Sequence, residues 1–395
     1  MADLSVKLGN LEFKNPVMLS SAEPTFSFEN MKKGIDRGIG GVIAKSWSSA
    51  DFVASGQMRP EQALLDEEHR LVMGKIPKMY THTSRTRFAK ESLDDWCKVV
   101  EQTVRYGREH DAVVIGSVAG TTKESWIEIS KRLAETGVAM LELNFGCPHY
   151  GSFGLRKYSG PVGAFDDFAV ELIRDIKKAV TLPLLIKEPA QLTNIIESVH
   201  QVREAGADAV TLTNRYSGLV LNFKSGKPYI HSTGGCGGPW VKPLTLRTIH
   251  QVATAFDIPI SGSNGATNWK DTLEFMMVGA STVQFCSAVM VHGYGLLSDT
   301  LKGISEYLNN QGIQSIRDII GTANQHVIQY SEMAQFPLVR YTVDHEICTG
   351  CGTCIDACFF GAHIWEEDKP QITDDCVGCH FCQSICPEGA IIPVS

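Results

Sequence analysis

The chain contains no apolar run approaching the roughly 18 residues needed to cross a bilayer, and its first residues, MADLSVKLGN, lack the basic and apolar regions of a secretory leader. Those two absences lead us to expect a cytoplasmic protein. No GxGxxG sequence occurs anywhere, so the fingerprint of a dinucleotide-binding βαβ unit is missing. A basic surplus is missing too: the formal net charge is −8, which opposes nucleic-acid binding. With 395 residues, 43% hydrophobic and 20% charged, the chain is long enough for one large core plus a small appendage.

Charge and cysteine are unevenly spread. From Tyr341 onward there are nine acids, at positions 344, 346, 356, 366, 367, 368, 374, 375 and 388, against Lys369 alone. The remaining 35 acids and 35 bases cancel, and the tail carries the whole −8. Such a field can steer a basic partner toward the tail, or it can be a solvated face without one. Of twelve cysteines, eight lie between Cys348 and Cys386, whereas Cys97, Cys147, Cys236 and Cys286 are scattered. This local density reads as a metal site rather than a disulfide framework.

Eight short apolar runs recur before the tail: Val17 to Leu19, Gly41 to Ala44, Val113 to Ser117, Ala139 to Leu143, Leu184 to Ile186, Ala209 to Leu212, Ile258 to Ser261 and Thr282 to Phe285. They are continuous rather than alternating, as parallel strands buried on both faces are. Amphipathic stretches intervene, among them Trp126 to Thr136, Phe168 to Val180 and Leu192 to Ala205. Gly9-Asn10 reads as the turn of a leading hairpin. Eight β/α units predict a closed (β/α)8 TIM barrel over residues 1–312, with an open doubly wound sheet as the alternative. The pattern from Leu297 to Tyr330 predicts a last barrel helix with a helical extension, and residues 313–340 serve as extension and linker into a C-terminal domain at 341–395.

Glycine-rich elements come late, at Thr233 to Gly238, Ser261 to Gly265 and around Cys286-Ser287. Loops after strands seven and eight are where a barrel commonly holds a phosphate through main-chain N–H groups, although glycines also simply make turns. The stretch Leu141 to His149 delivers Asn144, Cys147 and His149 to a strand end that Pro148 terminates. That is either a proton-handling site or an ordinary loop. Lys45 and Lys187 each follow an apolar run directly.

The tail holds two copies of CxxCxxCxxxC: Cys348, Cys351, Cys354, Cys358 and Cys376, Cys379, Cys382, Cys386. Three thiolates at this spacing can hold three irons of one cube while the fourth reaches the other. Cys386 is therefore expected to complete the first [4Fe-4S] cluster and Cys358 the second. Zinc prefers paired CxxC knuckles, which this spacing does not offer.

The tail resembles a bacterial two-cluster ferredoxin domain, α+β in fold, except that Phe359 stands where proline usually follows the fourth cysteine. On Asn144, Cys147, Pro148, His149 and the late glycines, residues up to about 310 resemble the FMN barrel of class 1 dihydroorotate dehydrogenases, and more closely the pyrimidine-reducing part of dihydropyrimidine dehydrogenases. The resemblance implies FMN and two [4Fe-4S] clusters. It also implies that Cys147 gives a proton to the ring opposite the flavin, that His149 supports it, that Asn144 contacts the substrate amide or the flavin, and that Asn214 supplies a second amide for a pyrimidine edge. Lys45 and Lys187 are implied near the flavin ring, Ala22 and Ser46 as ring contacts, and Gly235, Gly238, Ser263, Asn264, Gly265, Cys286 and Ser287 as the phosphate cradle. Cys97 and Cys236 are taken as structural.

The sequence departs from the pyrimidine pattern at Gly146, where a serine is usual, at Arg215, where a threonine is usual, and at Gly120-Thr121-Thr122, where an asparagine is missing. Arg215 either accommodates an anionic group or points away into a salt bridge. The expected activity is hydride and proton addition or removal across a C=C bond of a small ring, most closely uracil or thymine. Electrons are expected from a separate NAD(P)H-oxidising flavoprotein docking at the acidic tail, in a homo- or hetero-oligomer. A dihydroorotate-like ring acid is the alternative substrate, and a non-catalytic electron carrier the alternative of another class.

Overall fold

The computed structural model describes residues 2–49, 59–146, 167–335 and 337–394. Cys147, Pro148 and His149 fall outside that set. The chain divides into two compact units, Met1–Gln325 and His326–Ser395.

In the first unit the eight apolar runs form eight parallel strands, numbered in chain order among themselves: β1 Val17–Leu19, β2 Gly41–Ile43, β3 Val113–Val118, β4 Met140–Asn144, β5 Leu184–Lys187, β6 Ala209–Leu212, β7 Ile260–Ser263 and β8 Thr282–Phe285. Each pairs with its sequence neighbours, and β8 pairs with β1, so the sheet closes into a barrel. Nearly every strand residue is buried, because the runs face side chains on the inside and helices on the outside. The helix stretches appear as Lys123–Ala134, Asp167–Ala179 and Ile195–Glu204, and the leading hairpin as Val6–Leu8 with Leu11–Phe13. Strand β7 starts two residues later than its hydropathy predicts and runs through Gly262 and Ser263.

Two expectations are corrected, and one sheet is added. The α-helix of residues Gly295–Asn310 ends there, and from there to Gln335 the helical segments among the described residues are all short 3-10 turns. Gly312, at φ +69°, breaks the helical path. The glycine run at 233–238 is not a loop: Gly234–Gly237 is a strand, pairing on one side with Tyr216–Gly218 and on the other with Thr81–Arg85. Glu61–Leu65 adds an edge, giving a four-stranded antiparallel sheet that the sequence reading lacks altogether. Its strands come from the long connections after β2 and β6.

Glu188, directly after β5, is completely buried and has one side-chain partner, the Ser198 hydroxyl, which donates to Oε2 at 2.9 Å. Its Oε1 has no partner among the described residues. Burial pushes this carboxyl up to about 8, so it is neutral in the folded chain at pH 7 while an unfolded Glu is ionised. Because the folded value is the higher one, the stability Glu188 confers is whole below about pH 4.5 and is lost as pH rises toward 8. Glu188→Gln is therefore expected to flatten the fall in unfolding free energy across that window, by roughly 4 kcal/mol at 1.4 kcal/mol per pH unit. Urea titrations of both proteins at pH 5 and pH 8 check this; equal slopes would refute it.

The second unit pairs Tyr341–Val343 with Ile391–Pro393 and His363–Glu366 with Lys369–Ile372, both antiparallel, around two short helices, Thr353–Asp356 and Phe381–Ile385. Gly350 and Gly378 occupy equivalent places in the two cysteine runs and both take positive φ, as do Gly352 and His380. Its small core contains Tyr341, Val343, Cys354, Cys382 and Ile391. No helix among the described residues is long and apolar enough to cross a membrane.

Candidate functional site at the barrel mouth

The C-terminal ends of the strands open into a cleft, the end of a (β/α)8 barrel at which active sites are built. After β1 it is lined by Ser20 to Glu23, after β2 by Lys45 and Ser46, and at the end of β4 by Asn144. Lys187 of β5 follows, then Thr213, Asn214 and Arg215 after β6, Ser263 to Ala266 at β7, and Gln284, Cys286 and Ser287 at β8. Thus Ala22, Lys45, Ser46, Asn144, Lys187, Asn214, Arg215, Ser263, Asn264, Gly265, Cys286 and Ser287 are brought together. Gly235 and Gly238 are not on its wall: strand pairing carries Gly235 into the accessory sheet, and Gly238 precedes the 3-10 turn Pro239–Val241.

The amides converge by design of the strand ends. Asn214 Nδ2 donates to Asn144 Oδ1 at 3.3 Å, and Asn144 Nδ2 donates to Ser46 Oγ at 3.1 Å. Asn264, left-handed at φ +79°, donates from Nδ2 to the Asn214 carbonyl at 3.0 Å. Below them the barrel interior is polar rather than oily. Lys187 Nζ lies 3.5 Å from Glu142 Oε1 and donates to Ser20 Oγ at 3.2 Å. Thr211 Oγ1 donates to Glu142 Oε2 at 3.1 Å. Lys187 and Glu142 are 4% and 0% exposed, so each charge depends on the other.

Glu23 is a cleft residue that sequence reasoning missed. Burial alone would push its carboxyl up, but the charges of Lys45 and Arg215 and the Thr86 hydroxyl hold it below the ordinary range, so it is ionised at neutral pH. Gln62 Nε2 donates to Glu23 at 3.4 Å and pairs through its oxygen with His82 Nε2 at 3.1 Å. His82 is pushed down to about 4, by burial and then by Arg215, and is neutral. Lys45 donates to Thr86 at 3.0 Å. Burial pushes the Cys286 thiol up, so it remains protonated. The accessory sheet and the segment following it thus supply the partners that fix the cleft's charged groups, a contribution invisible until the sheet is seen.

The departures from the pyrimidine pattern now have local causes. A Cβ on Gly146 would stand 2.7 Å from both Cβ and Nδ2 of Asn214, so a serine there requires Asn214 to move. The Arg215 guanidinium donates to Ser84 Oγ and, at 3.3 Å, to the Gly235 carbonyl. It lies flat enough on Gly235 that a Cβ would come within 2.8 Å of Cζ. Glycine at 235 clears space for the arginine. Of the two orientations left open, Arg215 takes the one lining the cleft, held by neutral acceptors. Thr122 caps the Lys123–Ala134 helix, accepting from the Ser125 N–H at 3.2 Å.

The residues present fit a flavin mononucleotide. Gln284 Oε1 is buried on the cleft wall without a partner among the described residues, an acceptor suited to a ring imide N–H. Lys45 and Lys187 supply buried cations, as an electron-accepting ring with developing negative charge requires. Gly265, at φ +112°, brings its main chain so near Lys242 that a Cβ would meet it at 2.8 Å, a close-packed turn only glycine forms.

The tail fits iron–sulfur cubes. Cys348, Cys351, Cys354 and Cys386 line one cavity, and Cys358, Cys376, Cys379 and Cys382 line another. All eight are free of disulfides. Among the described residues no group of three His, Cys, Asp or Glu is gathered tightly enough for a single ion. Thiols that ring a cavity instead suit a multi-atom cluster. The Gly350 N–H donates to Cys348 Sγ at 3.5 Å and the Ala390 N–H to Cys386 Sγ at 3.2 Å. Cys97 and Cys236 are buried away from both sites.

Comparison with known proteins agrees with this geometry. Residues 3–308 match the dihydroorotate dehydrogenase family, and residues 341–362 and 370–392 match the 4Fe-4S binding domain. The chain is 30% identical to the NAD-dependent dihydropyrimidine dehydrogenase subunit PreA of Escherichia coli (strain K12), over 98% of this chain and 95% of that one. It is 29% identical to the catalytic subunit of dihydroorotate dehydrogenase B (NAD(+)) of Pyrococcus abyssi, over 81% of this chain and 99% of that one. The fold is similar to that of a dihydroorotate dehydrogenase from Eimeria tenella, solved in complex with ferulenol, at TM-score 0.62 and 18% identity, covering 82% of this chain and 89% of that one. The chain therefore belongs to the dihydroorotate dehydrogenase family, as an FMN-dependent oxidoreductase acting on CH–CH groups with a two-cluster [4Fe-4S] domain at its C-terminus.

Proposed function

We propose that the barrel interconverts the C=C and CH–CH forms of a small pyrimidine ring, most closely uracil or thymine and their 5,6-dihydro forms. The observation that carries this reading is the amide pair Asn144 and Asn214, joined at 3.3 Å on the cleft wall. Two carboxamides side by side present the alternating donors and acceptors that a cyclic imide edge offers in return. FMN supplies the hydride chemistry when bound.

The chain's own groups do the rest. Lys45 and Lys187 oppose negative charge on the flavin, and Ala22 and Ser46 bound its ring. Ser263, Asn264, Gly265, Cys286 and Ser287 hold its phosphate. Cys147 gives the ring its proton at Sγ, and His149 supports that thiol. Cys348, Cys351, Cys354 and Cys386 hold one cluster, and Cys358, Cys376, Cys379 and Cys382 the other. Electrons arrive from a separate NAD(P)H-oxidising flavoprotein, consistent with the absence of a dinucleotide fingerprint in this chain.

A second reading, a ring bearing an anionic group, is favoured by Arg215 on the cleft wall. One experiment separates the two. The protein is purified anaerobically, assayed for iron, sulfide and flavin, reduced, and mixed with uracil, thymine, dihydrouracil or orotate while flavin absorbance is followed. Reoxidation by uracil or thymine is expected. Reoxidation by orotate alone selects the second reading, and no response to any ring overturns both.

A further inference from the structure

The two cluster cavities have different walls. Around Cys348, Cys351, Cys354 and Cys386 stand Thr349, Thr353, Pro370, Pro387, Glu388 and Ile391. Around Cys358, Cys376, Cys379 and Cys382 stand Phe359, Phe360, Val377 and Phe381. These last four are 89%, 58%, 46% and 49% exposed. Three aromatic rings and a valine on one cavity rim, left in water, form a contiguous apolar patch of the kind that marks a contact surface. Phe359 stands where the two-cluster pattern has a proline, so an ordinary turn residue has given way to a large solvated ring. Asp375, exposed, directly precedes Cys376 beside the patch, and the exposed Asp374 before it pairs with Arg340 at 2.9 Å; the residues from Tyr341 onward carry a net charge of −8.

We propose that electrons enter this chain at the second cluster, through a docking surface made by Phe359, Phe360, Val377 and Phe381. The occupant is the electron-donating flavoprotein, presenting lysine and arginine around an apolar contact over its flavin edge. The proposal rests on the reading of the clusters as a relay. The aromatic rings supply the dry centre of a small, transient interface. The acids supply long-range attraction and orientation, which act on the association rate. Each cubane carries one electron at a time. Reduction of one C=C bond therefore takes two successive transfers, the donor's reduced flavin losing both electrons, and the ring product gaining two electrons and two protons.

The test runs the relay outward in the intact holoenzyme. Protein reduced with dithionite and freed of excess reductant is mixed with cytochrome c, a basic one-electron acceptor that must dock, or with ferricyanide, a small anion that need not. Phe359→Ser with Phe381→Ser is expected to slow cytochrome c reduction about tenfold and ferricyanide reduction less than about twofold. Phe359→Lys, at a position too exposed to threaten folding, is expected to move the two probes oppositely, slowing cytochrome c and hastening ferricyanide. Added salt should slow only the cytochrome c reaction. Parallel changes for both probes, or no change for cytochrome c in either variant, overturn the docking surface. Flavin reoxidation by ring substrate is followed in the same samples. Its loss from the unmutated protein would instead implicate the proposed barrel activity.

Discussion

Replacing Cys147 with alanine is expected to lower substrate-dependent flavin reoxidation by about 10²–10⁴-fold, the range that a positioned general acid contributes. Hydride delivery to one carbon of a conjugated ring leaves a carbanion equivalent at its neighbour, and without a proton source that step stalls. A thiol serves because it is neutral near pH 7 and regains its proton from water between turnovers. Flavin and iron content should be unchanged, because Cys147 is assigned to neither group. Stopped-flow mixing of reduced enzyme with uracil measures the effect, and serine at 147 should fall between the two rates. A rate for the alanine variant within threefold of the parent would remove Cys147 from the chemistry.

The second large effect is on the barrel interior. Lys187→Met leaves Glu142 with the Thr211 and Ser117 hydroxyls, at 3.1 and 3.5 Å, but with no cation. Removing one partner of a buried ion pair destabilises by about 3–5 kcal/mol, because the survivor's charge remains desolvated. The variant should also lose flavin, since the buried cation proposed to oppose the flavin's negative charge disappears. Adding Glu142→Leu removes the stranded charge and should restore most of the stability without restoring the flavin. Urea unfolding of the single and double variants, with flavin stoichiometry, checks both halves. A single variant as stable as the parent would refute the dependence of Glu142 on Lys187.

The barrel was legible because each strand is buried on both faces, and a short continuous apolar run has few other uses in a chain of this length. The accessory sheet was not. Glu61–Leu65 and Thr81–Arg85 are short and largely polar, and Gly234–Gly237 has no side chains to show a period. The pairing that joins them into one sheet, Thr81–Arg85 with Gly234–Gly237, spans more than a hundred residues, although Glu61–Leu65 and Tyr216–Gly218 pair locally. Glu23 was missed for the same reason, since its neighbours Lys45, Thr86 and Arg215 are remote in sequence. The helical pattern running to Tyr330 overshot because amphipathic spacing persists past Gly312 while the backbone turns there. In the tail, eight cysteines at fixed spacing declared themselves, because ligand geometry demands local order that composition cannot imitate.

The accessory sheet also sets when the cleft comes into being. Arg215 meets Ser84 across 131 residues and Gly235 pairs with Ser84 over a still longer separation. Long loops must close before such contacts return any stabilisation, and the same holds for the barrel seam, where Val283 of β8 meets Val17 of β1. The other barrel pairings join strands that follow one another along the chain; the seam and the link between the accessory hairpins do not. The charged lining of the cleft is therefore complete only once the distant parts of the chain have met.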